Sequence, residues 1–341
     1  MKLGLHIGMW GAAPTDRYVE LAQRAEALGF DMVVSAENYG SDVFTPLAVM
    51  ASHTSTIGLS TGVMPIQART PASAAMTAIT LDHISNGRLT LGVGVSSPGI
   101  VEGWHGQAFT RPMQRAREWL DIFRMIVARE EPLVYDGEIY QLPYRGDDGM
   151  GLGKSFKTIT HPLRRKIPVF LAALGPKNIQ LAVERFDGWQ PVWIPPTLYD
   201  ELWGEQIRAA PPGFEIIASV PVCIADNLEE ALLPVRRNLA MVLGGYGTRE
   251  VNFNRDMAAR AGYGDTVAML QDLYLTGRQQ QAAEAVPLEL ADAMAVIGSR
   301  NHVRERLRAW KASPVTTLLM QLGDDFNATV AHMEFLASEV L

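Results

Sequence analysis

The chain has 341 residues, 48% hydrophobic and 20% charged, the balance of an ordinary globular protein long enough to bury a large core. A net charge of −7 with no basic block or stripe argues against nucleic acid as a partner and against an anionic membrane surface. A single cysteine, Cys223 in ASVPVCIA, excludes an internal disulfide framework, reads as a small core residue and suits a reducing cytoplasm.

The opening MKLGLHIGMWG is too short an apolar run for a signal peptide, and no stretch of about 18 apolar residues follows anywhere. The expectation is a cytoplasmic chain. LGLHIG (3–8) reads as a strand, and TDRYVELAQRAEALGF (15–30) as a helix with Thr15 as its cap and Gly29 just past its end. DMVVSA (31–36) is a second strand, followed by a short helix near PLAVMASH. IGLSTGVM (57–64) is a third, followed by helix PASAAMTAITLDHIS, and RLTLGVGV (88–95) a fourth, followed by helix 111–130. The rhythm then breaks at 132–166, where Tyr135-Asp136-Gly137 signals a hairpin ahead of a Gly-rich, basic excursion. IPVFLAA (167–173), GWQPVWI (188–194) and EIIASVPVCIA (215–225) resume the strands, separated by helices. A long helical stretch covers about 228–292, and a last unit pairs helix SRNHVRERLRAWKAS with strand VTTLLMQL (315–322) before a C-terminal helix.

Alternating strands and helices imply a parallel sheet with right-handed crossovers. Eight such units predict an α/β TIM (β/α)8 barrel. It is one domain over 1–341, with an insertion after strand four (132–166) and extra helices (228–292) before the last unit. A doubly wound open sheet is the alternative, but no GxGxxG follows the first strand. In a barrel the chemistry sits at the C-terminal ends of the strands. That rule gathers His6 and Trp10, then Ser35, Glu37 and Asn38, then Gly62 and Val63, then Ser96, Ser97 and Glu102. Gly175 to Asn178 and Trp193 complete the set.

No strong hydrolytic apparatus appears among them. The seven histidines are scattered without an HExxH, so no metal is expected. There is no GxSxG elbow, and GMGLGK (149–154) lacks the strand and helix of a phosphate loop. Such a mouth suits a flat cofactor that brings its own chemistry. FLAALGPKN (170–178) leaves its strand through Gly175, Pro176 and Lys177. This is either a plain turn or a helix start whose open amides hold an anion.

The stretches LGLHIGMWG, VVSAENYGSD, LSTGVMPIQARTPASAAMTAITLDHISNGRLTLGVGVSSPGIVEGW, PLRRKIPVFLAALGPKNIQLAVERFDGW and VIGSRNHVRERLRAW carry a resemblance. Over nearly the whole chain they resemble the luciferase-like monooxygenase superfamily, in its coenzyme F-420 (deazaflavin) branch. The resemblance implies a ring lying in the barrel mouth, backed by a non-proline cis peptide at Gly62-Val63. The alternative for Gly62 is a glycine that merely tapers a strand end. The resemblance also implies a cofactor phosphate on the loop after strand five (Ala173, Gly175, Pro176, Lys177, Asn178), although Lys177 could equally be a solvated lysine. Glu37, Ser96 and Ser97 would complete the cofactor contacts, and His6, Trp10 and Trp193 would shape the substrate pocket under a lid at 143–160.

The match departs from related enzymes at two places. An Asp-His pair after strand two is here Glu37-Asn38, where Glu37 can accept a hydrogen bond from the ring but Asn38 cannot shuttle a proton. A proton-donating glutamate after strand four is replaced by Ser96-Ser97-Pro98, with Glu102 the nearest carboxylate. Glu102 is either a proton donor or a structural group that caps the next helix or pairs with an arginine. The activity implied is hydride transfer between deazaflavin C5 and a small organic substrate, with Glu37, Asn38 and Glu102 as the catalytic candidates. Alternatives are an FMN-dependent monooxygenase of the same superfamily or a non-catalytic flavin or F-420 binder. A homodimer through helices two and three is a further implication, since Ala72 to Ala78 would allow close packing.

Overall fold

A computed structural model describes every residue except Leu322 and Asp324, and only the backbone of Glu230. Eight parallel strands close into a barrel: β1 Lys2–Gly8, β2 Met32–Ser35, β3 Gly58–Thr61, β4 Leu89–Gly94, β5 Val169–Ala172, β6 Gly188–Gln190, β7 Glu215–Ile224 and β8 Thr317–Gln321. Neighbours follow chain order all the way round, and β8 closes the ring between β7 and β1. The ring shuts through pairs such as Ile217 with Thr317 and Lys2 with Thr317. The predicted end of β8 at Leu322 lies outside the described residues.

Strands such as MVVS are buried throughout, as expected of a parallel sheet covered on both faces. Local signals set the helices. Thr70 accepts from Ser73 N–H with Pro71 in the first turn of Pro71–Ile84, and Ser299 likewise caps Arg300–Ala312. Thr15 does not cap the first helix, which runs Tyr18–Ala27 behind Arg17 in the left-handed region. Thr15 instead reaches back to the Ile7 carbonyl.

Two shells of side chains hold the barrel. The larger lies between strands and helices and includes the buried Trp119, Trp189, Tyr199 and Trp310. The smaller fills the interior with Met32, Val34, Phe170, Ile217 and Leu319. Above this apolar layer the inward positions turn polar: His6 on β1, Gln190 on β6, Ser219 on β7 and Gln321 on β8. Gln321 Nε2 donates to Ser219 Oγ at 3.1 Å, and Gln190 Nε2 to the Thr61 carbonyl at 3.4 Å. Glycine at 92 makes room for this layer, because a Cβ there would overlap Gln190 and the Thr61 carbonyl.

Both insertions differ in detail from expectation. The hairpin after β4 pairs Tyr135–Asp136 with Gln141–Leu142 and hangs from Glu118, whose carboxylate accepts the amides of 138, 139 and 140 at 2.9 Å. The rest of the excursion descends the outer flank to the N-terminal end of the barrel. There Arg129 donates to Thr158 O, Lys157 to Glu130 O, and His83 Nε2 to His161 O. Residues 143–160 begin beside the mouth-end start of helix Pro71–Ile84, where Tyr144 lines one pocket with Thr70, Pro71 and Ala72. Arg145 pairs with Asp136 of the hairpin, the later residues bond along the flank, and Met150 is 89% exposed. The 228–292 stretch is helical but interrupted by π-helical turns at Ala240–Gly245 and Ala259–Tyr263. A strand absent from the sequence reading, Val296–Gly298, extends the upper part of β7.

A cavity of about 330 Å³ opens at the N-terminal ends of the strands. Ion pairs of Lys2 with Asp31 and Glu215, and of Lys166 with Asp187, rim it. It lies at the end of the barrel that serves stability, opposite the end that carries chemistry.

Candidate active site at the barrel mouth

At the top of β1, His6 Nδ1 accepts the Gly8 N–H at 3.2 Å and Nε2 lies 2.9 Å from the Gly62 carbonyl. An amide can only donate, so Nδ1 is bare and Nε2–H is the donor to Gly62. Burial lowers the His6 pKa and outweighs the bond to the Gly62 carbonyl, which acts in the opposite sense. The imidazole is neutral.

β3 breaks at Gly62-Val63, whose peptide bond is cis, and the chain rejoins the sheet beside β4 at Met64–Pro65. Gly62 N–H donates to the Ser35 carbonyl at 2.7 Å, and Val63 O accepts the Glu37 N–H at 3.3 Å. A Cβ on Gly62 would overlap Val34. The segment is thus pinned from β1, β2 and the loop after β2.

The catalytic candidates are placed otherwise than expected. Both Glu37 oxygens lie 2.9 Å from Arg69 Nη1, and one also accepts the Val43 N–H at 2.9 Å. Arg69, which the sequence reading passed over, and the Val43 N–H thus engage both oxygens of the carboxylate. Asn38 is half-buried at the same corner. Glu102 is exposed and accepts the Phe109 N–H at 3.1 Å in the loop ahead of helix Pro112–Ala128, which has no side-chain cap, and its neighbour Trp104 stands 65% exposed. Ser96, left-handed at φ 59°, and Ser97 lead into the short helix Pro98–Gly103 and are half-buried at the rim.

After β5, Gly175 is the N-cap of the ten-residue helix Pro176–Arg185, with no side-chain cap. Asn178 N–H turns back to Gly175 O at 3.0 Å, so it is satisfied within the helix. Pro176 has no N–H, and Lys177 N–H has no acceptor a turn earlier in the helix. Ala173 is buried, its carbonyl taken by Trp189 Nε1 at 2.8 Å. Trp193 is 4% exposed and left-handed, a wall residue. Trp10 is half-buried, its ring 5.3 Å from that of Tyr18 and its Nε1 buried without a partner.

Residues outside the sequence reading complete the mouth. Gln67 Nε2 donates to Val95 O at 3.0 Å, and its Oε1 is buried without a partner, as is that of Gln190. Tyr246, carried up by the helical excursion, has its pKa raised by burial and by the nearby phenols of Tyr39 and Tyr274. Tyr246 of the helical excursion thus stands near Tyr39 in the loop after β2. Inward parity along GWQ was the available signal for Gln190; for Tyr246 there was none, since a loop between helices has no register to a barrel.

Among the described residues no three His, Cys, Asp or Glu side chains gather to hold a metal, and no helix is long and apolar enough to cross a membrane. A flat cofactor with a phosphate tail fits what is present. An uncapped helix start opens beside β5 where a Cβ at Gly175 would meet nothing within 4 Å, and two buried amide oxygens lack partners.

The chain matches the luciferase-like monooxygenase family over residues 4–317 and belongs to it. Along 95% of both chains it is 44% identical to a protein of Mycobacterium tuberculosis provisionally named a coenzyme F-420-dependent oxidoreductase. In fold it is similar to the F-420-dependent tetrahydromethanopterin reductase of Methanopyrus kandleri, with a TM-score of 0.78 and 17% identity, covering 100% and 99% of the two chains. It is also similar to the oxygenating constituent of 3,6-diketocamphane monooxygenase from Pseudomonas putida, solved with FMN. There the TM-score is 0.68 at 20% identity, over 100% and 98% of the chains.

Proposed function

We propose that the protein is a coenzyme F-420-dependent oxidoreductase that moves a hydride between the deazaflavin and a small organic substrate. The observation that carries this reading is the 44% identity, over 95% of both chains, to the mycobacterial oxidoreductase. When bound, the deazaflavin supplies the hydride chemistry at C5; the protein supplies position and electrostatics. Gly62-Val63 would back the ring, Ser96 and Ser97 would border it, and Gly175 and Lys177 would hold the phosphate with the lysine side chain adding charge. Tyr39, Tyr246 and Trp193 would wall the substrate side. Glu37 acts through Arg69 rather than on the substrate.

Exposed Met76 and Ile84 on helix Pro71–Ile84 support a homodimer packed on that helix. A cytoplasmic setting suits the free Cys223.

Equilibrium titrations with F-420 and with FMN, following cofactor fluorescence, test the reading. Saturable binding of F-420 alone supports it, and Lys177→Ala then weakens binding by roughly tenfold, the value of one charge-assisted contact. Preference for FMN favours the second reading, a flavin monooxygenase, which the FMN-bound neighbour motivates. Binding of neither, or of F-420 with no turnover across electrophilic substrates, rejects an F-420 oxidoreductase.

A further inference from the structure

Both ring nitrogens of His6 are committed to backbone, which a residue that merely lines a pocket does not require. Nδ1 receives the Gly8 N–H two residues on, which turns the ring and leaves the proton on Nε2. Nε2–H then spans from β1 to the Gly62 carbonyl at 2.9 Å. Gly62 is held from the opposite side by its own N–H on Ser35 O, and a Cβ added to Gly62 would stand 3.4 Å from His6 Nε2. The imidazole lies directly beneath the segment at the centre of the mouth.

We propose that His6 is a positioning residue: as the neutral Nε2–H tautomer it ties the Gly62 carbonyl and so fixes the Gly62-Val63 surface. An imidazolium would set Nδ1–H against the Gly8 N–H, donor against donor, so the tie belongs to the neutral ring. The consequence for cofactor affinity rests on the reading of that surface as the backing of the ring; the tautomer and the tie do not.

Two substitutions separate the ring's two bonds. In His6→Gln the amide nitrogen falls near the place of Nε2 and can still donate to Gly62. In His6→Asn the side-chain oxygen falls near Nδ1, keeping the Gly8 contact and losing Gly62. Long-range 15N–1H spectra of the histidine rings in the cofactor-free wild type are expected to show His6 with bare Nδ1 and protonated Nε2 at neutral pH. Amide exchange at Gly62 and Val63 is expected to quicken about fivefold to tenfold in His6→Asn, as for loss of one hydrogen bond, and to stay near wild type in His6→Gln. F-420 or FMN affinity should fall by a similar factor in His6→Asn alone. A protonated Nδ1, or unchanged exchange in His6→Asn, or equal impairment of both variants, overturns the proposal. The wild-type spectrum decides even if a variant fails to fold. If the tautomer and exchange results hold while neither cofactor binds, the tie stands and the functional reading falls. Cofactor affinity unchanged in His6→Asn overturns the link between the tie and the ring.

Discussion

Arg69 Nη1 lies 2.9 Å from both carboxylate oxygens of Glu37, joining the loop after β3 to the loop after β2 across the rim of the mouth. The pair is mostly shielded, at 19% and 10% side-chain exposure, and Asp42 stands 3.7 Å from the same guanidinium. Removing one partner strands the other charge in a poorly solvated place. Glu37→Gln is expected to cost about 2 kcal/mol in urea unfolding, less than a fully buried pair, with coupling of about 1–2 kcal/mol in a double-mutant cycle with Arg69→Met. The pH dependence of turnover should keep its shape, because Glu37 is an ion-pair partner. Loss of one limb of the profile would return Glu37 to the role of acid or base.

The excursion after β4 should be dispensable for binding. Replacing Gly146 to Lys154 by a short Gly-Ser linker removes residues such as Met150 and Leu152, 89% and 83% exposed, and no hydrogen bond to the mouth. Loop shortening of this kind changes closure entropy by only about 1 kcal/mol. Cofactor dissociation constants and Tm should match wild type closely. A tenfold loss of affinity would mean that the segment closes over the mouth in the bound state.

Acid stability should depend on Glu26. Burial raises the pKa of its carboxyl, but the amides of Thr56, Ile57 and Ser55 and the Thr56 hydroxyl outweigh that and hold it at about 2. A carboxylate whose folded pKa is depressed contributes stability above its unfolded pKa of about 4.3 and loses it as pH falls towards 2. Glu26→Gln is therefore expected to lower stability by about 1 kcal/mol at pH 7, discounted for solvent around the carboxylate, and to differ little from wild type near pH 2. Urea midpoints at the two pH values check this; an equal deficit at both would refute it.

At the far end of the barrel, Arg164 fastens the excursion to Asp82, a carboxylate 2% exposed, through Nη2 at 2.7 Å and Nε at 3.0 Å. Arg164→Met would leave that charge buried without its partner, at about 3 kcal/mol. Asp82→Asn with Arg164→Met should recover part of it. Denaturant unfolding of the single and double variants measures both, and a single variant within 0.5 kcal/mol of wild type, on the order of a surface change, would remove the pair from the account.

The barrel was legible because its signals are local. Strands such as MVVS declare themselves by continuous apolar residues and helices by caps and period, and the eight-unit count follows. The helix start at Gly175 was named from the sequence, since the C-terminal ends of strands are known once the strands are, and the break at Gly62-Val63 followed from the family resemblance. What the chain alone could not yield was pairing between distant loops. Glu37 was read as free to meet a ring because its partner Arg69 is 32 residues on, and only closure of the barrel brings the two loops together. The proton position on His6 likewise depends on a carbonyl 56 residues away. The sequence by itself determined the architecture and the end of the barrel that bears the chemistry, because periodicity and turn residues act over a few positions. Which side chains are spent on one another was decided by tertiary structure, where hydrogen bonds and burial join residues that no local pattern relates.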